Sequence, residues 1–291
     1  MTFLEMLLGA SRHNRSLLCV GLDPDPARIP AQLRAAPDPV YAFCTAIVEA
    51  TADLVCAFKP NSAFFEALGT RGIETLHRVI AAVPRDIPVI LDAKRGDIGS
   101  TAAASAYAAF EVLGAHAITL SPYLGGDALA PFLSYADRGC LLLCKTSNPG
   151  SVDLQDLPLA DGRPLYLEVA RRAQHDWNGN RNVGLVAGAT HPGVLPSLRA
   201  ICPELPLLVP GVGAQGGDLA LAVRGAVDQH GERAIINASR SILYASAGGD
   251  FAEAARGEAR RLRDAIGGAL GEVGVRDERL KIRDENSASN L

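Results

Sequence analysis

Lysine is scarce in this chain. Of 28 basic residues only four are lysines: Lys59, Lys94, Lys145 and Lys281. The first three stand at or near the ends of apolar runs. Lysine offers a compact charge and a transferable proton that arginine does not. In a chain that uses arginine almost everywhere, three lysines at equivalent places point to chemistry rather than to composition. The densest cluster is Asp92-Ala93-Lys94-Arg95-Gly96-Asp97-Ile98. Two residues apart on a strand, Asp92 and Lys94 project to the same face. Asp97 follows just past the strand end, so one ammonium is set among two carboxylates. At ~4 Å and an effective dielectric of ~20, each such pair is worth roughly 4 kcal/mol before desolvation. A cation held this way can meet developing negative charge and deliver a proton. The bland alternative for the same residues is a structural salt-bridge network.

A second constellation suits an anion. Gly211, Gly213, Gly216 and Gly217 free backbone amides to turn toward a ligand. A helix expected just after them would face its amino terminus toward it, and Arg240 can fork two hydrogen bonds onto phosphate oxygens. The spacing Gly211-x-Gly213-x-x-Gly216 also fits a dinucleotide fingerprint. That fingerprint opens a first βαβ unit, whereas this one follows the seventh apolar run. The six histidines (His13, His77, His116, His175, His191 and His230) form no HxxxH or HxH pair. They read as surface or loop residues, and none is assigned to a metal.

Eight apolar runs must position these groups: 17–23, 54–60, 88–94, 117–123, 140–147, 183–189, 206–213 and 234–240. Nearly continuous in Val, Ile, Leu and Cys, they suit parallel strands buried on both faces. Helical patterns separate them at 38–52, 64–82, 100–113, 125–137, 163–177, 192–200, 217–229 and 250–269. Strand then helix, eight times, predicts an α/β (β/α)8 TIM barrel over residues 1–274 as a single domain. The rival, a doubly wound open sheet, usually has fewer strands. The loops 24–37 and 148–162 both follow strands, so they belong on the carboxyl-terminal face of the barrel, and 148–162 is the expected lid. Residues 275–291 are polar and expected to fray.

The chain has 291 residues, 48% hydrophobic and 21% charged, with net charge −4. Such a length can bury about three quarters of the unfolded surface, so neither disulfides nor a structural metal is needed. Without a positive excess, nucleic acid polymers are not an expected partner. Six cysteines without a CxxC pair fit a reducing cytoplasm. The first residues read as a short amphipathic helix rather than a signal peptide. No run reaches the ~18 apolar residues of a membrane span.

Several segments together carry a resemblance. DAKRGDI (92–98) fits the DxKxxD pattern of the orotidine 5′-phosphate decarboxylase family. LCVGLDPD (18–25) resembles that family's first strand, whose ribose-contacting residue is here Asp23. FKPN (58–61) resembles the second strand, with Lys59, and TSNPG (146–150) the loop whose Ser147 meets the pyrimidine ring. VPGVGAQGGD (209–218) resembles the phosphate loop, with Pro210, Gln215 and Gly216. NASRSI (237–242) resembles the last segment, with Ser239 and the phosphate-binding Arg240. The matches follow family order over residues 18–242, and the length resembles the longer bacterial form. Two positions depart: many members have Gly-Arg where this chain has Ser239-Arg240, and shorter relatives often carry an acid where Lys145 stands.

The resemblance implies decarboxylation of orotidine 5′-monophosphate to uridine 5′-monophosphate and CO2, without a cofactor. It assigns catalysis to Lys94, Asp92, Asp97 and Lys59, with Lys94 as cation and proton donor to C6. It assigns substrate contacts to Asp23, Lys59, Ile98, Thr101, Ser147, Pro210, Gln215, Gly216, Ser239 and Arg240. It further implies a homodimer in which Asp97, Ile98 and Thr101 cross into the partner's site. Three other readings remain. A metal-dependent phosphosugar lyase, of the hexulose-phosphate synthase or keto-gulonate-phosphate decarboxylase type, shares DxKxxD but tends to an acid where this chain has Lys59. A Schiff-base aldolase needs a lysine that sheds its proton, which neighbouring carboxylates oppose. A silent barrel would bind a nucleotide without reaction.

Overall fold

The structure is a computed structural model, and it describes residues 1–191, 193–211 and 218–271. The polar stretch 275–291 lies outside the described residues. Eight strands fall on the eight apolar runs: β1 Leu18–Leu22, β2 Ala57–Pro60, β3 Ile90–Arg95, β4 Ala117–Leu120, β5 Gly139–Lys145, β6 Val183–Ala187, β7 Leu207–Pro210 and β8 Ala234–Ala238. They form one parallel sheet in the order β2-β1-β8-β7-β6-β5-β4-β3. The sheet's two ends meet through parallel bridges Phe58↔Val89 and Asn61↔Asp92. The fold is therefore the expected TIM barrel.

The helices are α1 Phe3–Asn14, α2 Pro39–Thr51, α3 Ser62–Glu66, α4 Thr70–Ala82, α5 Gly99–Tyr107, α6 Gly126–Leu133, α7 Leu165–His175, α8 Val194–Ile201, α9 Leu219–Ala226, α10 Arg240–Leu243 and α11 Phe251–Gly271. Two depart from the periodicity reading. The segment 64–82 is broken into α3, which ends at Glu66, and α4, whose N-cap is Gly69 with φ 68°. The segment 100–113 is α-helical only to Tyr107 and continues as a π-helical turn, Ala108–Val112.

Strands β1, β2, β4, β6 and β8 are buried along their whole length. Helices cover them outside, and side chains fill the barrel inside. One residue per strand, Cys19, Ala57, Ile90, Ala117, Leu141, Val186, Leu208 and Ile235, packs inside the barrel in one cluster with Phe3 and Leu7. α1 thus plugs the amino-terminal end of the barrel. Its start is fixed by a capping box: Thr2 N–H donates to Glu5 at 2.8 Å and Glu5 N–H to Thr2 Oγ1 at 3.3 Å. Phe3 fits because position 139 is glycine; a Cβ there would lie 2.4 Å from the Phe3 ring. Two residues further along each strand, alternation brings Lys59, Asp92, Thr119, Pro210 and Asn237 inward at the carboxyl-terminal end.

Candidate active site

The barrel mouth holds a row of ion pairs centred on Asp92. Lys59 Nζ lies 2.8 Å from Asp92 Oδ2, and Lys94 Nζ lies 2.6 Å from Oδ1. Thr119 Oγ1 donates to Oδ1 at 2.9 Å and accepts the Lys94 backbone N–H at 2.9 Å. Lys59 and Asp92 are buried, whereas the Lys94 side chain is 50% exposed and so within reach of a ligand. Lys94 occupies left-handed backbone space, φ 47°, and the β3–β4 register shifts between Leu91 and Arg95. A non-glycine residue held there costs of order 1–3 kcal/mol, a pattern that concentrates at functional sites. Next to it, Arg95 turns away and pairs with Glu66 at 2.5 Å.

The arrangement corrects the expected one ammonium between two carboxylates. Within the chain it is one carboxylate between two ammoniums. Asp97 forms no ion pair with Lys94 among the described residues; it accepts the Ile98 N–H at 2.8 Å instead. The turn of the chain at Lys94 separates the two side chains' directions. Lys94, Asp97 and Thr101 nonetheless line one open cleft of about 610 Å³ beside β3 and α5.

The charges shape one another. Burial alone pushes the Asp92 carboxyl up, but Lys59 and Lys94 outweigh it and hold it at about 2. Burial pushes the Lys59 ammonium down, and the Asp92 and Asp23 carboxylates reverse this to a net rise. Because Asp92 titrates lower folded than unfolded, its contribution is present above its ordinary value of 3.8 and lost as pH falls through about 2. That shift is worth roughly 2 kcal/mol. Lys59 has the opposite sign: its share holds at neutral pH and is lost only as pH rises through its raised value. The difference in stability between wild type and Asp92→Asn, measured by urea unfolding, should therefore shrink as pH falls from about 4 to about 2. A difference independent of pH over that interval would contradict the assignment.

The parallel topology puts the remaining predicted residues on the same face. Asp23 follows β1, Ser147 follows β5, Pro210 ends β7, and Ser239 and Arg240 follow β8. Asp23 Oδ1 is buried without a hydrogen-bond partner among the described residues, while its carbonyl accepts the Tyr244 hydroxyl at 3.1 Å. Ser147, Pro210, Ser239 and Arg240 share no hydrogen bond with the Asp92 row among the described residues. Ile98 is 58% exposed. Gln215 and Gly216 lie outside the described residues, as do Gly213 and Gly217. The helix expected to face a phosphate, α9, is already capped: Asp218 accepts the Leu221 N–H at 2.9 Å. That cap places an acidic side chain at the helix's amino terminus.

Two residues escaped the sequence reading. Thr119 bridges Asp92 to the Lys94 backbone. Asn237 is buried in the mouth, its Oδ1 without a partner among the described residues, and its Nδ2 donates to Ser239 Oγ at 3.4 Å. Their signal was a polar residue inside an otherwise apolar run. Gly21 makes room for this corner, since a Cβ there would lie 1.9 Å from Ser239 Oγ. Of the histidines, His116 is half-buried and its Nδ1 accepts the Val89 N–H at 3.1 Å. All six cysteines are buried free thiols. No group of three or more His, Cys, Asp or Glu side chains among the described residues is placed to hold a metal ion.

A closed βα barrel whose charged residues gather at the carboxyl ends of its strands has the build of a barrel enzyme. The chain belongs to the orotidine 5′-phosphate decarboxylase / HUMPS family, whose model matches residues 16–256. It is 60% identical over 270 residues to the orotidine 5′-phosphate decarboxylase of Roseiflexus sp. (strain RS-1), covering 93% of this chain and 99% of the relative. It is 54% identical over 275 residues to that of Paracidovorax citrulli (strain AAC00-1), covering 93% and 100%. Among solved structures it is similar to Leishmania donovani OMP decarboxylase, with a TM-score of 0.82, 43% identity, and coverage of 93% of this chain and 99% of that one.

Proposed function

We propose that the chain converts orotidine 5′-monophosphate to uridine 5′-monophosphate and CO2, a step of pyrimidine nucleotide biosynthesis, with no cofactor. The observation that carries this reading is the Lys59–Asp92–Lys94 row at the barrel mouth. Breaking the bond from C6 to the carboxylate leaves an electron pair in the plane of the ring, where no electron sink receives it. Lys94 is the one member of the row with an exposed ammonium; it stabilises that charge and then transfers a proton to C6. Asp92 lies beside the departing carboxylate. Lys59, with Asp23, holds the ribose hydroxyls; Asp23 Oδ1, without a partner among the described residues, is a ready acceptor for one of them. Ser147 reads the pyrimidine edge. Pro210, Gln215, Gly216, Ser239 and Arg240 hold the phosphate, whose binding energy is spent on ordering the site. Lys59 also separates this reading from the metal-dependent lyases, which tend to an acid there. The test is loss of ultraviolet absorbance when the protein meets orotidine 5′-monophosphate in EDTA. Turnover is expected; none in EDTA with recovery on adding Mg²⁺ would favour the lyases.

Two copies share their sites, with Asp97, Ile98 and Thr101 serving the partner's. Supporting this, Asp97 is not paired with its own Lys94. An apolar strip of Ile98, Tyr107, Tyr123, Val152 and Leu154, each more than half exposed, runs over three successive βα units. Mixing inactive Lys94→Ala with inactive Asp97→Ala should restore about a quarter of wild-type turnover by statistical pairing. Unshared sites would restore none. A cytoplasmic location fits the six free, buried thiols. No helix among the described residues is long and apolar enough to cross a membrane.

A further inference from the structure

Lys145 is the third lysine at a strand end, and the reaction above gives it no task. Its side chain is 2% exposed. Its Nζ pairs with Asp156 Oδ1 at 2.8 Å and donates to Ser151 Oγ at 3.1 Å. Both partners belong to the loop between β5 and α7, Ser151 within its 3-10 turn Pro149–Asp153 and Asp156 beyond it. Between Lys145 and this loop lies Ser147.

The neighbours of Ser147 are tied down as well. Thr146 N–H donates to Gln155 Oε1 at 2.8 Å, and Gln155 Nε2 returns a bond to Thr146 Oγ1 at 2.9 Å. Thr146 Oγ1 lies 2.6 Å from Asn148 Oδ1. On the other side, Gly188 N–H donates to the Lys145 carbonyl at 2.7 Å. A Cβ at Gly188 would come 2.7 Å from Ser147 Cβ, so the β6 end presses directly on this serine. The loop's own apolar residues do not hold it: Val152, Leu154 and Leu157 are about half exposed. Lys145 is buried while Asp156 is 41% exposed, and an ion pair with one solvated partner adds little stability by itself. Its distinctive return is direction, because an ammonium with fixed acceptors admits one loop path.

We infer that Lys145 is a positioning residue: through Asp156 and Ser151 it clasps the β5–α7 loop to the barrel and sets where Ser147 meets the pyrimidine ring. The loop expected from the sequence to be a lid is, on this account, a fixed platform. The inference rests on the proposed decarboxylase reading and on Ser147 as the ring contact.

The test compares a ligand with the ring, uridine 5′-monophosphate, and one without it, ribose 5-phosphate, by titration calorimetry. Lys145→Met keeps the length of the stem, and Asp156→Asn changes a partly exposed residue, so the second variant carries the test should the first fail to fold. Each should weaken uridine 5′-monophosphate about fivefold to tenfold, the loss of one well-placed hydrogen bond, and leave ribose 5-phosphate unchanged. In a Ser147→Ala background, Lys145→Met should cost nothing further for the ring-bearing ligand. A general loss of structure would weaken both ligands alike. Equal losses for both ligands, no loss for either, or full additivity with Ser147→Ala overturns the inference alone, given a wild type that turns over orotidine 5′-monophosphate. A wild type that neither turns it over nor binds the product overturns the functional reading, and this inference with it.

Discussion

Lys94→Ala should lower kcat by at least about 10⁴-fold while uridine 5′-monophosphate still binds. Two roles end together in that variant. On the proposed mechanism, the cation that meets the carbanion is lost, and so is the proton that quenches it. Each such role is typically worth about 10² to 10⁴-fold. The structure gives reasons to assign both to this nitrogen. Asp92 fixes it from 2.6 Å. Thr119 holds its backbone, and the left-handed conformation at φ 47° carries the side chain back toward the mouth. Lys59 does not substitute, because its ammonium is buried and paired with Asp92. Product affinity should change little, since phosphate and ribose contacts remain. The check pairs an absorbance assay in EDTA with product titration. Turnover within about tenfold of wild type would remove Lys94 from the chemistry.

The eight strands were readable because a parallel strand covered on both faces must be apolar along its length, and runs such as 183–189 and 206–213 are. The same property hid the interior. Where both faces are buried, nothing in AITL or AIINA says which face Thr119 or Asn237 takes; barrel closure decides that. Asp92, Lys59 and Lys94 were readable because a charge in such a run has few places to go. Their pairing was only half readable. Alternation put Asp92 and Lys94 together, but the place of Asp97 just past the strand end also suggested it as a second partner. The left-handed turn at Lys94 and the claim of the Ile98 N–H on Asp97 are backbone events that residue spacing does not encode. The break at Gly69 was legible in principle, since glycine commonly ends a helix, yet the apolar period runs on across it. That α1 would close the barrel floor depended on the space left by Gly139, a contact 136 residues away in sequence between Phe3 and Gly139.

Asp92→Asn should lose stability and turnover together, and a second substitution should separate them. Asparagine keeps the shape but not the charge, so Lys59, with a side chain 4% exposed, loses its paired carboxylate and keeps, among the described residues, the more distant Asp23. Breaking a buried pair from one side costs about 3 kcal/mol or more. Turnover should fall at least about 10³-fold, because Lys94 loses its anchor and the reacting carboxylate its neighbour. Removing the stranded cation as well, in Asp92→Asn with Lys59→Met, should recover most of the stability, since a buried pair is often replaceable by apolar volume. Activity should stay lost. Urea unfolding and kcat on the same preparations give both readings. If the double variant regains turnover along with stability, the row of ion pairs serves the fold alone, and the chemistry assigned to it has to be sought elsewhere on the barrel mouth.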